Sequence, residues 1–360
     1  MAARIYLDNA ATTPIDPLVF EAMTPYFTEH FGNPSSIYSY GRENRLAIEK
    51  ARKSVAAILH AHPSEIFFTS GGTESSNTAI FAAIKELGCT RIISSPIEHH
   101  ATLHTCNFIA EKGHASLEFV NILSNGHVDL HDLELKLSSS PEKTLITLMH
   151  ANNETGAIQP IADLAAVCLE RGVFFHTDAV QTFGKIALSA RLPGLSALSI
   201  AGHKFYGPKG VGALYLGAGI AVSQTAHGGS HENSRRPGTE NVAAIVGMAV
   251  AAEIAARDAE RESARLKPLR DELWARIQSS CPKAIRNGNP DKSLANTLNV
   301  SFPGADGEAL LMGLDLEGVC VSSGSACMVG SIQPSHVLVA LGVNPKTDLA
   351  TIRFSMGRKT

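Results

Sequence analysis

The stretch 197-ALSIAGHKFYGPKGVGALYLG-217 decides how this chain reads. An apolar, strand-like run ends in Ala-Gly-His-Lys, passes through Gly207-Pro208-Lys209-Gly210, and enters a second apolar run. The glycines let backbone or ligand come close, so Lys204 is placed between two buried strands. A lysine at a strand end pointing into water is the ordinary expectation. Its company argues otherwise. Upstream, 174-FFHTDAVQ-181 is an apolar strand that ends in Asp178.

The pattern extends outward from these two strands. Residues 42–59 carry apolar positions at a spacing near 3.6, an amphipathic helix. Strands at 65–70, 91–95, 117–122, 144–151 and 173–179 then alternate with helices at 73–87, 99–113, 129–138 and 161–172. Strands that are apolar almost throughout, each followed by a helix, predict a parallel sheet covered on both faces. Ligands in such sheets sit at the carboxyl ends of the strands. After the polar, glycine-rich 226–241, the longest helical pattern covers 242–278, and Pro268 is expected to kink or divide it. Beyond it, 295-ANTLNVSFPG-304 and 318-GVCVSSGSACMVG-330 read as short strands and turns. The expectation is an α/β fold: a large, mainly parallel-sheet domain over residues 16–255, and a smaller α+β domain from residues 1–15 and 256–360.

With 360 residues, 44% hydrophobic and 18% charged, the chain is long enough for two domains of an ordinary globular protein. A net charge of −3 without a basic run argues against nucleic-acid binding. The apolar stretches are strand-sized, and the first residues lack the apolar core of a signal peptide, so no membrane span is expected and a cytoplasmic location is. The six cysteines are scattered without a CxxC pair, and the fifteen histidines show no ligand spacing, so no metal site is expected.

Lys204 and Asp178 together suggest pyridoxal phosphate: an amine to hold the aldehyde and a carboxylate for the pyridine nitrogen. The turn 69-TSGGTES-75, between a strand and a helix, offers free N–H groups, the positive end of a helix dipole and the Thr73 hydroxyl to a phosphate. Alone it is also an ordinary strand-to-helix turn. Asn153, Gln181 and His99 lie at other strand ends. Each singly reads as a cap or loop group, but a flat histidine and two amides also suit a ring cofactor and a substrate carboxylate.

The motifs LDNAATTP, FGNPSS, FTSGGTES, the EHH pair, HANNETGAIQP, HTDAVQ, GHKFYGPKG, RRPGTEN, SSGSAC and IRFSMGR occur in this order between residues 5 and 358. In these the chain resembles the cysteine desulfurases of the NifS/IscS-like group, fold-type I enzymes of the class V aminotransferase superfamily. The resemblance implies Lys204 as the lysine that carries the cofactor and Asp178 as partner of its ring nitrogen. It places His99 on the ring as a catalytic residue beside Lys204 and Cys327, Asn153 among the cofactor's contacts, Gln181 at the phenolic oxygen, and Gly72, Thr73 and His203 on the phosphate side. Asn153, Arg353 and Asn33 match positions around the substrate carboxylate. Thr239 matches a residue that reaches the neighbouring subunit's phosphate, which implies a homodimer with shared sites. Cys327 matches the nucleophile that takes sulfur from L-cysteine, leaving L-alanine, and then passes it to an acceptor or scaffold protein. A thiol in the Gly/Ser run 322-SSGSAC-327 suits that task, whereas Cys320, in the apolar 319-VCV-321, reads as buried and inert.

Three positions depart from the family pattern. Ala201 replaces the usual serine three residues before the lysine, Tyr38 replaces a histidine, and the chain stops at Thr360 where relatives continue into a further helix of the small domain. A selenocysteine lyase, or a catalytically weak sulfur carrier or scaffold-binding protein, remains an alternative reading.

Overall fold

The computed structural model describes residues 4–222, 224–323, 335–343 and 350–360. In chain order, β1 (Ile5–Tyr6) precedes α1 (Pro17–Met23), α2 (Pro25–Thr28) and α3 (Ser39–Ile58). The alternating region holds β2 (Ile66–Thr69), α4 (Gly72–Lys85), β3 (Arg91–Ser94), α5 (His100–Glu111), β4 (Ser116–Phe119), α6 (Leu130–Ser138), β5 (Thr144–Thr147), α7 (Ile161–Arg171) and β6 (Phe174–Asp178). Next come β7 (Ala197–Ala201), β8 (Gly212–Leu216), α8 (His231–Ser234) and α9 (Val242–Ser280). The last elements are β9 (Ile285–Asn287), β10 (Thr297–Ser301), α10 (Gly307–Leu316), β11 (Val319–Cys320), α11 (His336–Ala340) and β12 (Thr351–Ser355).

Seven strands form one sheet in the order β2-β8-β7-β6-β5-β3-β4. From β7 to β4 every pairing is parallel, as the strand–helix alternation predicts. β8 is the exception and runs antiparallel to both β7 and β2. The cause is local: no helix crosses over between Ala201 and Gly212, so the chain can only turn back. The central strands β5, β6 and β7 are buried at every position, whereas edge strand β4 is exposed at both ends and half-buried at its two middle residues. Phe175, Ile146, Leu148, Leu198 and Ile200 anchor the core on one face. Each contributes about 1.5–3 kcal/mol by leaving water.

A separate antiparallel sheet, β12-β10-β9, has its own cluster around Leu298, Val300, Ile352 and Phe354. Helix α9 joins the two cores. Its residues from Val242 to Ala255 pack on the large sheet, and Leu266, Leu273, Trp274 and Ile277 on the small one. It runs through Pro268 as one helix, so of the two expected outcomes, a kink or a division, the division does not occur. Leu266 and Arg270, buried on either side of the proline, hold both halves in register, and that packing outweighs the one lost backbone hydrogen bond. Five short helical segments escape the sequence reading, α1, α2, α8, α10 and α11. Of these, α1 and α10 start on an aspartate cap, Asp16 before Pro17 and Asp306 before Gly307, a signal that was present in the sequence.

Candidate functional site

Strands β3, β5, β6 and β7 end on one edge of the sheet, and a cavity of about 280 Å³ opens there. Its wall brings together Gly72, Thr73, His99, Asn153, Asp178, Gln181, His203, Lys204 and Arg353, residues drawn from both sheets. Asp178 is the last residue of β6 and almost fully buried. One oxygen accepts from the Val180 N–H at 2.9 Å. Burial pushes its pKa up to about 6, against the opposing pull of that N–H and of Lys204. A carboxylate held at this cost beside an open cavity suits a cationic partner.

Lys204 closes the short 3-10 turn Gly202–Lys204 that follows β7. Its Nζ donates to the carbonyls of Ala10 at 2.6 Å and Ala11 at 2.8 Å. The segment that supplies them is pinned on both sides. Asn9 Nδ2 donates to the Ser355 carbonyl at 2.9 Å, and Thr13 donates through N and Oγ1 to the His203 carbonyl at 3.0 and 2.8 Å. The motif LDNAATTP is thus a lid of backbone acceptors over the lysine, a role its composition does not announce.

The N-terminal turn of α4 faces the same space. Gly72 is required there by close approach, because a Cβ would stand 2.7 Å from Val180 Cγ2. Gly212 is required for the same reason, since its Cβ would lie 2.7 Å from the Gly71 backbone. Removing both side chains lets β8 and the 179–181 turn press against the start of α4, leaving its first N–H groups directed at the cavity. Thr73 and His203 flank this end. His203 Nδ1 lies 3.2 Å from Thr12 Oγ1, and burial, with Lys204 adding to it, holds the ring neutral with a pKa of about 4.

His99 is the cap of α5, and its Nδ1 accepts from the Ala101 N–H at 3.1 Å. A nitrogen that accepts from an amide carries no proton, so the neutral ring keeps its proton on Nε2. The residue is exposed to solvent, yet desolvation by the atoms crowded around its ring lowers its pKa to about 4, with Lys204 and the neighbouring His100, His336 and His104 adding to the effect. A flat, uncharged ring therefore stands over the cavity.

Arg353, in the middle of β12, is buried at 2% exposure. Its Nη1 donates to the Asn153 carbonyl at 2.9 Å and its Nη2 to Asp8 Oδ1 at 2.8 Å. Among the described residues its Nε has no hydrogen-bond partner. The guanidinium already holds one carboxylate, and the pairing with Asp8 is a feature the sequence did not signal. Asn33 and Thr239 are exposed and do not line the cavity. The loop before Thr239 bends through three consecutive left-handed residues, Glu232, Asn233 and Ser234, each costing about 1–2 kcal/mol. The buried Arg52–Glu232 pair, at 2.7 and 2.8 Å, holds that bend in place.

Cys327 lies outside the described residues. The chain on either side of it is anchored at the cavity wall. Ser322 pairs through its backbone with Arg353, Ser335 Oγ donates to Glu154 Oε2 at 2.5 Å, and His336 Nε2 donates to the Glu98 carbonyl at 2.9 Å. Glu154 and His336 both line the cavity and were not singled out from sequence, nor were His100, Met149 and Ala151. Cys320 is half-buried, not fully buried as its apolar neighbours suggest, because among the described residues β11 pairs only with the two-residue β1.

A lysine and a buried aspartate at adjacent strand ends, beside an open helix N-terminus, define the class, and the chain belongs to the aminotransferase class-V family, whose model matches residues 5–360. Among its relatives is a cysteine desulfurase IscS from Dictyoglomus turgidum, 46% identical over 100% of this chain and 91% of its own length. The cysteine desulfurase NifS of Azotobacter vinelandii is 42% identical over 99% and 89%. Among solved structures, a NifS-like protein superposes with a TM-score of 0.91 at 38% identity, covering 98% of this chain and 93% of that one. SspA in complex with cysteine superposes with a TM-score of 0.84 at 34% identity, covering 98% of each.

Proposed function

We propose that this protein is a pyridoxal phosphate-dependent cysteine desulfurase that converts L-cysteine to L-alanine and leaves the sulfur as a persulfide on Cys327, for iron–sulfur cluster assembly or another sulfur-transfer route. The carrying observation is the convergence of Lys204, Asp178 and the start of α4 on one cavity, in a chain similar over its whole length to enzymes of that name. The residues fit the cofactor. The open α4 terminus with Thr73 and His203 suits its phosphate, the buried Asp178 its ring nitrogen, Gln181 its phenolic oxygen, and neutral His99 its face. Bound there, pyridoxal phosphate supplies an electron sink for bond changes at the substrate's Cα and Cβ.

The chain's own groups do the rest. Lys204 Nζ takes the Cα proton and returns a proton to the product. Asp178 keeps the pyridine nitrogen protonated. Arg353 and Asn153 hold the substrate carboxylate, with Asp8 giving up or sharing its place on the guanidinium. The Cys327 thiolate attacks the substrate sulfur, the Cβ–S bond breaks, and an S–S bond forms on the enzyme. Support for Cys327 is reach: it follows Ser322, whose backbone is paired with Arg353, by five residues, a span of up to about 18 Å.

The protein acts as a homodimer in the cytoplasm. Support for the dimer comes from the exposed Leu18, Phe20, Phe27, Phe31, Ile37 and Leu46 on α1–α3 and the loop between, apolar surface that a second copy would cover, and from Asn33 and Thr239 lying outside their own chain's cavity. Among the described residues no helix is long and apolar enough to cross a membrane. The division into residues 16–255 and residues 1–15 with 256–360 is supported by the change of core along α9.

The test is incubation of purified protein with L-cysteine, measuring alanine and mapping the added sulfur by mass spectrometry. The expected result is alanine with one extra sulfur on the Cys327 peptide, and loss of sulfur transfer in Cys327→Ala. Full alanine production by that variant without added thiol would refute the desulfurase mechanism, and sulfur on Cys320 would refute the choice of thiol.

A further inference from the structure

Gln181 follows β6 in a tight turn and is 5% exposed. Its amide is bracketed by two groups of opposite character. The Ala10 carbonyl, which can only accept, takes a hydrogen bond from Nε2 at 3.0 Å. The Lys185 ammonium, which can only donate, gives one to Oε1 at 3.2 Å. Each partner disfavours the amide turned over, and only the two together fix it. The orientation of this side chain is therefore set chemically, and the N–H₂ end is left beside the Ala10 carbonyl that also receives Lys204 Nζ.

Lys185 is unusual in its own right. Among the described residues it forms no ion pair, and the nearest acidic side chains along the pocket behind it are engaged elsewhere. Asp258 is held by Arg257 at 2.9 Å and Arg261 at 3.2 Å, and Glu262 by Arg265 at 2.9 Å. Burial, with Lys204 and then Arg353 adding to it, pushes the Lys185 pKa down to about 7. By accessible surface Lys185 is half-buried, and a cation partly withdrawn from water without a carboxylate costs stability unless it serves another purpose.

We propose that Lys185 is a positioning residue for the cofactor site: by occupying Gln181 Oε1 it holds the amide with its N–H edge toward the cavity, where the phenolic oxygen of pyridoxal phosphate is received. This rests on the cofactor reading above. A phenolate that accepts a fixed N–H is less basic than one facing an amide free to turn its oxygen inward. Lys185 thus tunes the protonation of the bound cofactor without touching it.

The test reads the pH midpoint of the visible absorbance of the cofactor-loaded protein. Lys185→Met, which fills the space but cannot donate, should raise the midpoint by about one pH unit, as expected for one charge-assisted hydrogen bond. Lys185→Gln, neutral but able to donate, should restore it to near the wild-type value. Lys185→Met added to Gln181→Ala should shift nothing further. Should Lys185→Met not fold, Lys185→Leu, which likewise cannot donate, carries the same expected rise. An unchanged midpoint in the Met or Leu variant, a Gln variant behaving like the Met variant, or an additive shift in the double variant overturns the proposal, the second of these by showing that charge alone matters. A wild-type protein that takes up pyridoxal phosphate without any visible band fails differently: it overturns the cofactor reading, and this inference with it.

Discussion

Asp178→Asn separates two consequences of placing a carboxyl at the end of β6. Burial pushes this pKa from 3.8 up to about 6, so the ionised form is disfavoured in the folded chain. The gap of about two pH units corresponds to a folding cost on the order of 3 kcal/mol when the cofactor is absent. Its pH dependence follows from the sign. An acid whose folded pKa is raised binds its proton more tightly in the folded state. The cost is therefore absent below 3.8, builds between 3.8 and about 6, and is fully present above that. Asparagine has the same shape, keeps an oxygen for the Val180 N–H, and carries no charge. Cofactor-free Asp178→Asn should be more stable than cofactor-free wild type at about pH 8, by up to roughly 3 kcal/mol, and should lose most of that advantage by about pH 4.5. Turnover should move the other way, falling at least about a hundredfold in the loaded enzyme, because an amide cannot hold the ring nitrogen's proton. Denaturant unfolding of both cofactor-free proteins at the two pH values, with alanine formation by the loaded proteins, reads both effects. A variant no more stable than wild type at pH 8, or equally favoured at both pH values, would refute the buried-carboxylate account. Near-normal turnover would remove Asp178 from the chemistry.

Two further outcomes are expected. Borohydride treatment of the loaded protein followed by peptide mapping should fix the cofactor on Lys204, whose Nζ is presented to the cavity by the Ala10 and Ala11 carbonyls; recovery on Lys209 instead would show that the wrong lysine was chosen. Ala201 ends β7, is 2% exposed and lines the cavity, so Ala201→Ser adds a hydroxyl on the phosphate side. Cofactor affinity should rise about tenfold or more, the worth of one charge-assisted hydrogen bond, and an unchanged dissociation constant would mean that the phosphate lies out of reach of this position.

The amino-acid sequence by itself determined the alternation of strands and helices from Ile66 to Asp178, because burial on a 3.6 or continuous pattern is a local property of each segment. It also determined which strand ends carry Lys204 and Asp178, since each terminates an apolar run where a charge cannot stay buried without purpose. The reversal of β8 was legible in principle from the missing crossover helix after Ala201, and the caps at Asp16 and Asp306 in principle from residue type. The remaining features came from distance in the chain. The Ala10 carbonyl reaches Lys204 across 194 residues, and Asp8 reaches Arg353 across 345. No periodicity encodes such pairs. They exist because the carboxyl ends of β5, β6 and β7, the N-terminal segment and β12 are brought to one place by two cores that α9 ties together. Gln181 and Lys185 lie four positions apart, yet only the tertiary structure makes the lysine an orienting group, by setting it half-buried and unpaired with any carboxylate among the described residues, with the Ala10 carbonyl on the amide's other side.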